Sequence, residues 1–217
     1  SIPVIIGVGI IDVNEVLDKV FASRLAEGSV SALSYSNKLV QFILGVFIMA
    51  ITTVVFPILS REFAKNNVEG VSKAFIKGMR LVILFTLPAM IAMVILSTPI
   101  VSIAFERGAF TKESTLMTSQ ALVFYSIGIS STGVKLDKTY YSLKDTKTPM
   151  YIALITVITN FILNSILVDS MGHRGLALAT SLSVTMVSII MYMDLSTKKL
   201  TVNNRKLLKF IIRVLLS

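Results

Sequence analysis

The sequence predicts an all-α, polytopic membrane helix bundle with six transmembrane helices and the start of a seventh. Three observations carry this. Apolar residues make up 54% of the 217 and charged residues only 15%, against about 25% charged in a soluble domain. Mean hydropathy is +0.80. The apolar residues gather in runs close to the roughly 20 residues that a helix needs to cross hydrocarbon. Those runs lack strand alternation, including the alternating segments of about ten residues that mark a membrane barrel. With no Cys and one His, disulfide scaffolds, thiolate zinc sites, cysteine nucleophiles and His-rich metal centres are excluded. The net charge of +9 reads, on so apolar a chain, as loops facing an anionic leaflet and not as a nucleic-acid surface.

Six segments follow in order. The first, residues 2–25, is interrupted by Asp12, Asn14, Glu15, Asp18 and Lys19 and ends at the Gly28-Ser29 turn signal. The second covers 31–64 and the third 79–105, the third carrying Pro88 and Pro99. Membrane helices tolerate such prolines because neighbours re-satisfy the freed carbonyls. Between them, Arg61 to Arg80 reads as an amphipathic interfacial helix with Val68, Val71, Phe75 and Ile76 on one side. The fourth segment, 116–141, has a polar inner half (Ser130, Ser131, Lys135, Asp137, Lys138). The fifth is 150–168 and the sixth 175–193, and a seventh starts near Phe210. Gly175, Ala179 and Ser183 have the spacing of close helix packing. His173 falls in a short outer loop and reads as solvated.

Basic residues test the topology. Arg61, Lys65, Lys73, Lys77 and Arg80 follow the second segment. Lys135, Lys138, Lys144 and Lys147 follow or end the fourth. Lys198, Lys199, Arg205, Lys206, Lys209 and Arg213 follow the sixth. Fifteen of the 21 Lys and Arg therefore lie on one side, which the positive-inside rule makes cytoplasmic. No charged region precedes a cleavage site, so no signal peptide is expected. Both ends fall in apolar runs, so the chain reads as a piece of a longer membrane protein.

Ionisable groups within membrane helices are costly and mark cavities or partners. Lys38 lies roughly 12 Å along the second segment from its outer end, at 1.5 Å per residue. A Lys stem snorkels only part of that way. With Ser34, Tyr35 and Asn37 nearby, it reads as a cationic polar wall suited to phosphate or pyrophosphate; an ion pair with Asp18 is the competing reading. Asn14 and Asp18 share a helix face, as do Glu15 and Lys19. Asp18 with Asn14 is placed to meet Asn160 or Asn164 of the fifth segment and Thr180 of the sixth. Those oxygens suit a hard cation such as Na⁺, but plain interhelical hydrogen bonding, common for such residues in membrane bundles, is the favoured account. No nucleophile–base pair or paired carboxylates stand out, so an enzyme is not expected, and no cofactor beyond possible Na⁺ or membrane-potential coupling.

Four stretches resemble one family. FERGAFT (105–111), GSVSALSYSNKL (28–39), FPILS (56–60) and YSLKDTKTP (141–149) are similar, in order and spacing, to motifs of the MurJ (MviN) lipid II flippases of the MOP exporter superfamily. The resemblance covers nearly the whole chain. It implies that 1–199 is the second of two six-helix lobes and 200–217 a cytoplasmic linker with the start of an additional helix. It implies transport of lipid-linked peptidoglycan precursor, lipid II, from the inner to the outer leaflet of the bacterial cell membrane by alternating access. The N-terminal lobe and membrane lipids are the other partners, with no nucleic acid. The resemblance implies a cationic cavity with Lys38 at it; with the reading of the residues above, Lys38, Ser34 and Asn37 are the expected substrate contacts and Asp18, Asn164 and Thr180 the candidate cation ligands. An Arg normally stands where this chain has Lys38, so a point charge replaces a bidentate fork. Two alternatives are another exporter of the superfamily, moving a drug or a polyprenyl-linked oligosaccharide, and a non-transporting membrane scaffold.

Overall fold

A computed structural model describes residues 13–129, 131, 139–141, 145–198 and 214. Among the described residues all regular structure is helical. Helix α1 covers 13–22; α2 is Ser29–Ala64, α3 Val68–Ile95, α4 Ser97–Phe105, α5 Lys112–Ile127, α6 Lys147–Met171 and α7 His173–Lys198. Lys135, Asp137, Lys138 and Lys144 lie outside the described residues, as does 200–217 apart from Val214.

Helices α3, α6 and α7 are each long and apolar enough to cross a membrane. Leu154, Ile155, Ile158, Ile162 and Ile166 form an exposed stripe on α6, and Leu182, Met186, Ile189 and Met193 one on α7. At helical spacing these are continuous apolar faces. Helix α2, with 36 residues, is about 54 Å long at 1.5 Å per residue. It outruns a hydrocarbon layer of about 30 Å.

Local chemistry sets the ends. Gly28 precedes α2 at φ 89°, a conformation that glycine adopts without strain. Asn67 caps α3 by accepting from the Gly70 amide at 3.0 Å, and Thr111 caps α5 by accepting from the Ser114 amide at 3.3 Å. Asp145 accepts from the Thr148 amide (3.1 Å) and hydroxyl (2.9 Å), anchoring the start of α6.

Three expectations are corrected. Residues 61–80 do not form a separate interfacial helix. They divide between the end of α2 and the first turns of α3, with Val71 and Phe75 buried against Leu59, Tyr140 and Leu195. Of the predicted apolar face, Val71 and Phe75 pack into the protein while Val68 stays exposed. Second, 79–105 is not one helix. It breaks at Leu96, because Pro99 cannot donate to the Ile95 carbonyl and its ring crowds that group; in α4 Pro99 occupies the first turn, where a donor is not needed. Pro57 and Pro88 interrupt nothing. Third, the loop expected between 168 and 175 shrinks to Gly172 alone, at φ 58° and ψ −137°.

The bundle has two core clusters. One joins Ala22, Leu33, Val101, Leu122 and Leu176; the other joins Leu59, Phe75, Ile83, Val187 and Met191. Helix α5 is the hub, packing on α2, α3, α4 and α7. In lipid the hydrophobic effect does not drive helices together, so close approach and interhelical hydrogen bonds must. The Ser36 hydroxyl donates to the Thr118 carbonyl (2.8 Å) and the Ser181 hydroxyl to the Phe124 carbonyl (2.7 Å). A Cβ on Gly175 would lie 2.5 Å from the Leu167 carbonyl oxygen, so only glycine allows α6 and α7 to meet there. Ala179 and Ser183 are fully buried on the same helix, as their spacing predicts.

Candidate functional site

Asp18 is only 7% exposed although it carries a carboxylate. Such a group needs several donors. The Asn164 amide donates to its Oδ1 at 2.6 Å, and the Thr180 hydroxyl donates to its Oδ2 at 2.9 Å. Helices α1, α6 and α7 are thereby joined through one side chain. Asn160, one turn before Asn164 on α6, completes the set in either amide orientation. In one it accepts from the Asn164 amide at 2.8 Å. Turned over, it donates to Asp18 Oδ1 (3.0 Å) and Asn14 Oδ1 (3.1 Å), and its oxygen faces the Thr180 amide at 3.3 Å. The second orientation draws in Asn14 but sets the amide nitrogens of Asn160 and Asn164 against each other at 2.8 Å. Tyr125 of α5 borders the group, within electrostatic reach of Asp18.

One oxygen is left over. Asn164 Oδ1 is buried and accepts no hydrogen bond. Buried carbonyl oxygens are nearly always satisfied, and this one lies in a cluster whose other groups are a carboxylate, two further amides and a hydroxyl. Such a donor set, with a single negative charge, fits a small monovalent cation held by oxygen. The sequence pointed to Asp18, Asn164 and Thr180, and the structure brings all three together. It uses Asn160 as well, where either asparagine had been expected. Tyr125 was missed, since nothing in its spacing links it to α1.

Lys38 is placed differently. It is exposed on α2 and makes no ion pair among the described residues; the pair with Asp18 does not form, since Asp18 is already engaged. Its Nζ lies 5.0 Å from the Tyr35 ring centroid, a cation–π distance. Ser34 and Asn37 flank it, both half-buried. The Tyr35 ring packs on Phe105 (centroids 4.8 Å apart) and edge-on against Phe110 (5.3 Å).

Those two phenylalanines belong to the 105–111 motif. Gly108 supplies a left-handed turn at φ 60°. Glu106 accepts from the Thr115 hydroxyl at 2.8 Å. That bond, with a lesser contribution from Ser102, holds the Glu106 carboxyl below the usual carboxylate range. The motif is thus an outer clamp whose apolar members close on α2. Glu15 and Lys19 pair at 2.8 Å with both side chains about half exposed, as expected. His173 departs from its solvated reading. It is half-buried, with Nε2 3.2 Å from the Met117 carbonyl oxygen, because the one-residue turn presses the start of α7 against α5.

The family model for "Lipid II flippase MurJ" matches residues 1–217. The chain belongs to the MurJ family. It is 35% identical over 215 residues to the "Probable lipid II flippase MurJ" of Vibrio cholerae, covering 98% of this chain and 41% of that protein. The solved structure "Lipid II flippase MurJ, inward closed conformation" superposes with TM-score 0.84 at 29% identity, over 95% of this chain and 43% of that one. A MOP superfamily transporter from Pyrococcus furiosus superposes at TM-score 0.79 and 18% identity, over 99% of this chain and 49% of that one; the likeness there is one of fold. The chain therefore spans less than half the length of these MurJ relatives. Membership of a family of transporters, together with three membrane-length helices, makes it a multi-pass membrane protein.

Proposed function

We propose that this MurJ-family chain works as the second lobe of a lipid II flippase in the bacterial cytoplasmic membrane, with 1–199 as the lobe and 200–217 as linker and start of a further helix. It moves lipid-linked peptidoglycan precursor from the inner to the outer leaflet by rocking against an N-terminal lobe, as alternating-access transporters do about a central site. The pyrophosphate headgroup is too polar to cross hydrocarbon bare, so a hydrated cationic cavity is needed. The observation that carries this reading is Lys38, exposed on α2 and left without a carboxylate partner among the described residues. Its ammonium meets the pyrophosphate, and Ser34 and Asn37 offer hydrogen bonds beside it. In a strain depleted of its own flippase, the intact protein carrying Lys38→Ala should fail to support growth at normal expression. Unimpaired growth would remove Lys38 from the site.

The same reading gives Asp18, Asn164 and Thr180 a coupling role, with Asn160 beside them. The orphan Asn164 oxygen and the single carboxylate fit Na⁺, which would bring a compensating charge into the bundle and so bias one of the two states. Plain interhelical bonding predicts no sodium effect. Thermal stability of the purified protein in sodium against choline chloride separates the two.

A further inference from the structure

Resting on the assignment of Lys38 to the headgroup site, we propose that Tyr35 is its positioning residue. The ring is a platform that directs the ammonium, and the 105–111 clamp holds the platform in place. Tyr35 stands one turn before Lys38 on α2, and Nζ lies 5.0 Å from its ring centroid. A lysine alone is a point charge on a flexible four-carbon stem. Over a ring face it gains a preferred location without losing charge or exposure. The ring itself is not free: Phe105 and Phe110 meet it from two directions, and their own centroids are 5.9 Å apart.

The clamp is pinned in turn. Gly108 at φ 60° turns the chain back, Glu106 accepts from Thr115, and Thr111 caps α5. The outer connection thus reaches Lys38 through three aromatic rings and no polar contact. Tyr35 acts through its ring face, since its hydroxyl makes no hydrogen bond among the described residues. Aromaticity at 35 is therefore required and the hydroxyl is dispensable.

The test uses the intact protein with its lysines dimethylated by a ¹³C label, which keeps their charge. The Lys38 methyl resonance is assigned by its loss in Lys38→Ala. A ring face within 5.0 Å shifts that resonance upfield. Tyr35→Phe should retain both the upfield shift and lipid II affinity in detergent. Tyr35→Leu should return the resonance to the position of solvent-exposed lysines and weaken lipid II binding about two- to fivefold. Phe110→Leu should move the resonance part of the way. In a Lys38→Ala background, Tyr35→Leu should add no further loss. An unmoved resonance in Tyr35→Leu overturns the proposal, and so does a binding loss that persists without Lys38. If Lys38→Ala weakens lipid II binding while Tyr35→Leu does not, only the positioning role falls. If Lys38→Ala leaves binding intact, the assignment of Lys38 falls and takes the positioning role with it.

Discussion

Asp18 and Lys38 carry opposite charges on adjacent helices of one lobe, and the fold treats them in opposite ways. Asp18 is enclosed by amide and hydroxyl donors from α6 and α7. Lys38 is left exposed with an aromatic face beneath it. A charge in a membrane protein survives either by saturation with polar partners or by access to water. The first solution ties helices together and makes the charge part of the scaffold. The second leaves the charge available to a ligand. A variant at Asp18 should therefore disturb folding and ion response, whereas one at Lys38 should disturb ligand handling alone.

The largest effect is expected from Asp18→Leu. It takes the acceptor from one Asn164 N–H and leaves the Thr180 hydroxyl only its Leu176 carbonyl (3.1 Å), and an unmet buried donor costs about 1–3 kcal/mol. Thermal unfolding in detergent should show a loss of about 3 kcal/mol. Asp18→Asn sharpens the point, because it keeps an acceptor and discards the charge. It should lose much less stability, yet abolish any difference between sodium and choline. A sodium response that survives Asp18→Asn would show that the carboxylate holds no ion.

Next comes Lys38→Ala. Its melting should stay within about 0.5 kcal/mol of the parent, as for a surface site. Lipid II binding should fall about 10-fold or more, the loss of one charge-assisted contact. Equal losses of stability at the two positions would erase the contrast between them.

Gly175→Ala probes the frame of the Asp18 cluster. The added Cβ meets backbone of Leu167, so α7 must move relative to α6, at about 1–3 kcal/mol. Sodium response should weaken while the Lys38 resonance stays put. The smallest effect belongs to Glu106→Gln, on the Lys38 side. The Glu106 carboxyl is held below its ordinary range by Thr115. Its contribution is present at neutral pH and above its unfolded value, and is lost as pH falls through the lowered folded value. Parent and variant should differ slightly in melting at pH 7 and converge in acid. Divergence toward acid would reverse the sign and exclude the Thr115 bond as its cause.

Much of this was legible in the sequence because it rests on spacing. Asn14 and Asp18, and Asn160 and Asn164, are each four residues apart and so share faces, and buried polar groups seek one another. Gly175, Ala179 and Ser183 read as packing for the same reason. What failed depended on partners. Val71 and Phe75 have the pattern of an interfacial helix, and only the proximity of Tyr140 and Leu195 makes them core. The break at Leu96 turned on whether neighbours re-satisfy the Ile95 carbonyl, which Pro99 alone cannot tell. Tyr35 reads as a polar neighbour of Lys38 until Phe105 and Phe110, about seventy residues on, close over its ring.

The one-residue turn at Gly172 has a consequence for everything built on α6 and α7. Two helices joined so tightly, and meeting again at Leu167 and Gly175, travel as a single fork. The gap between Asn164 and Thr180 is then a fixed calliper, and of the cluster's members Asp18 and Asn14 alone ride on a different arm. Whatever draws Asp18 into that gap or lets it out is registered as a tilt of α1, so the tightness of the cluster measures where the first helix stands.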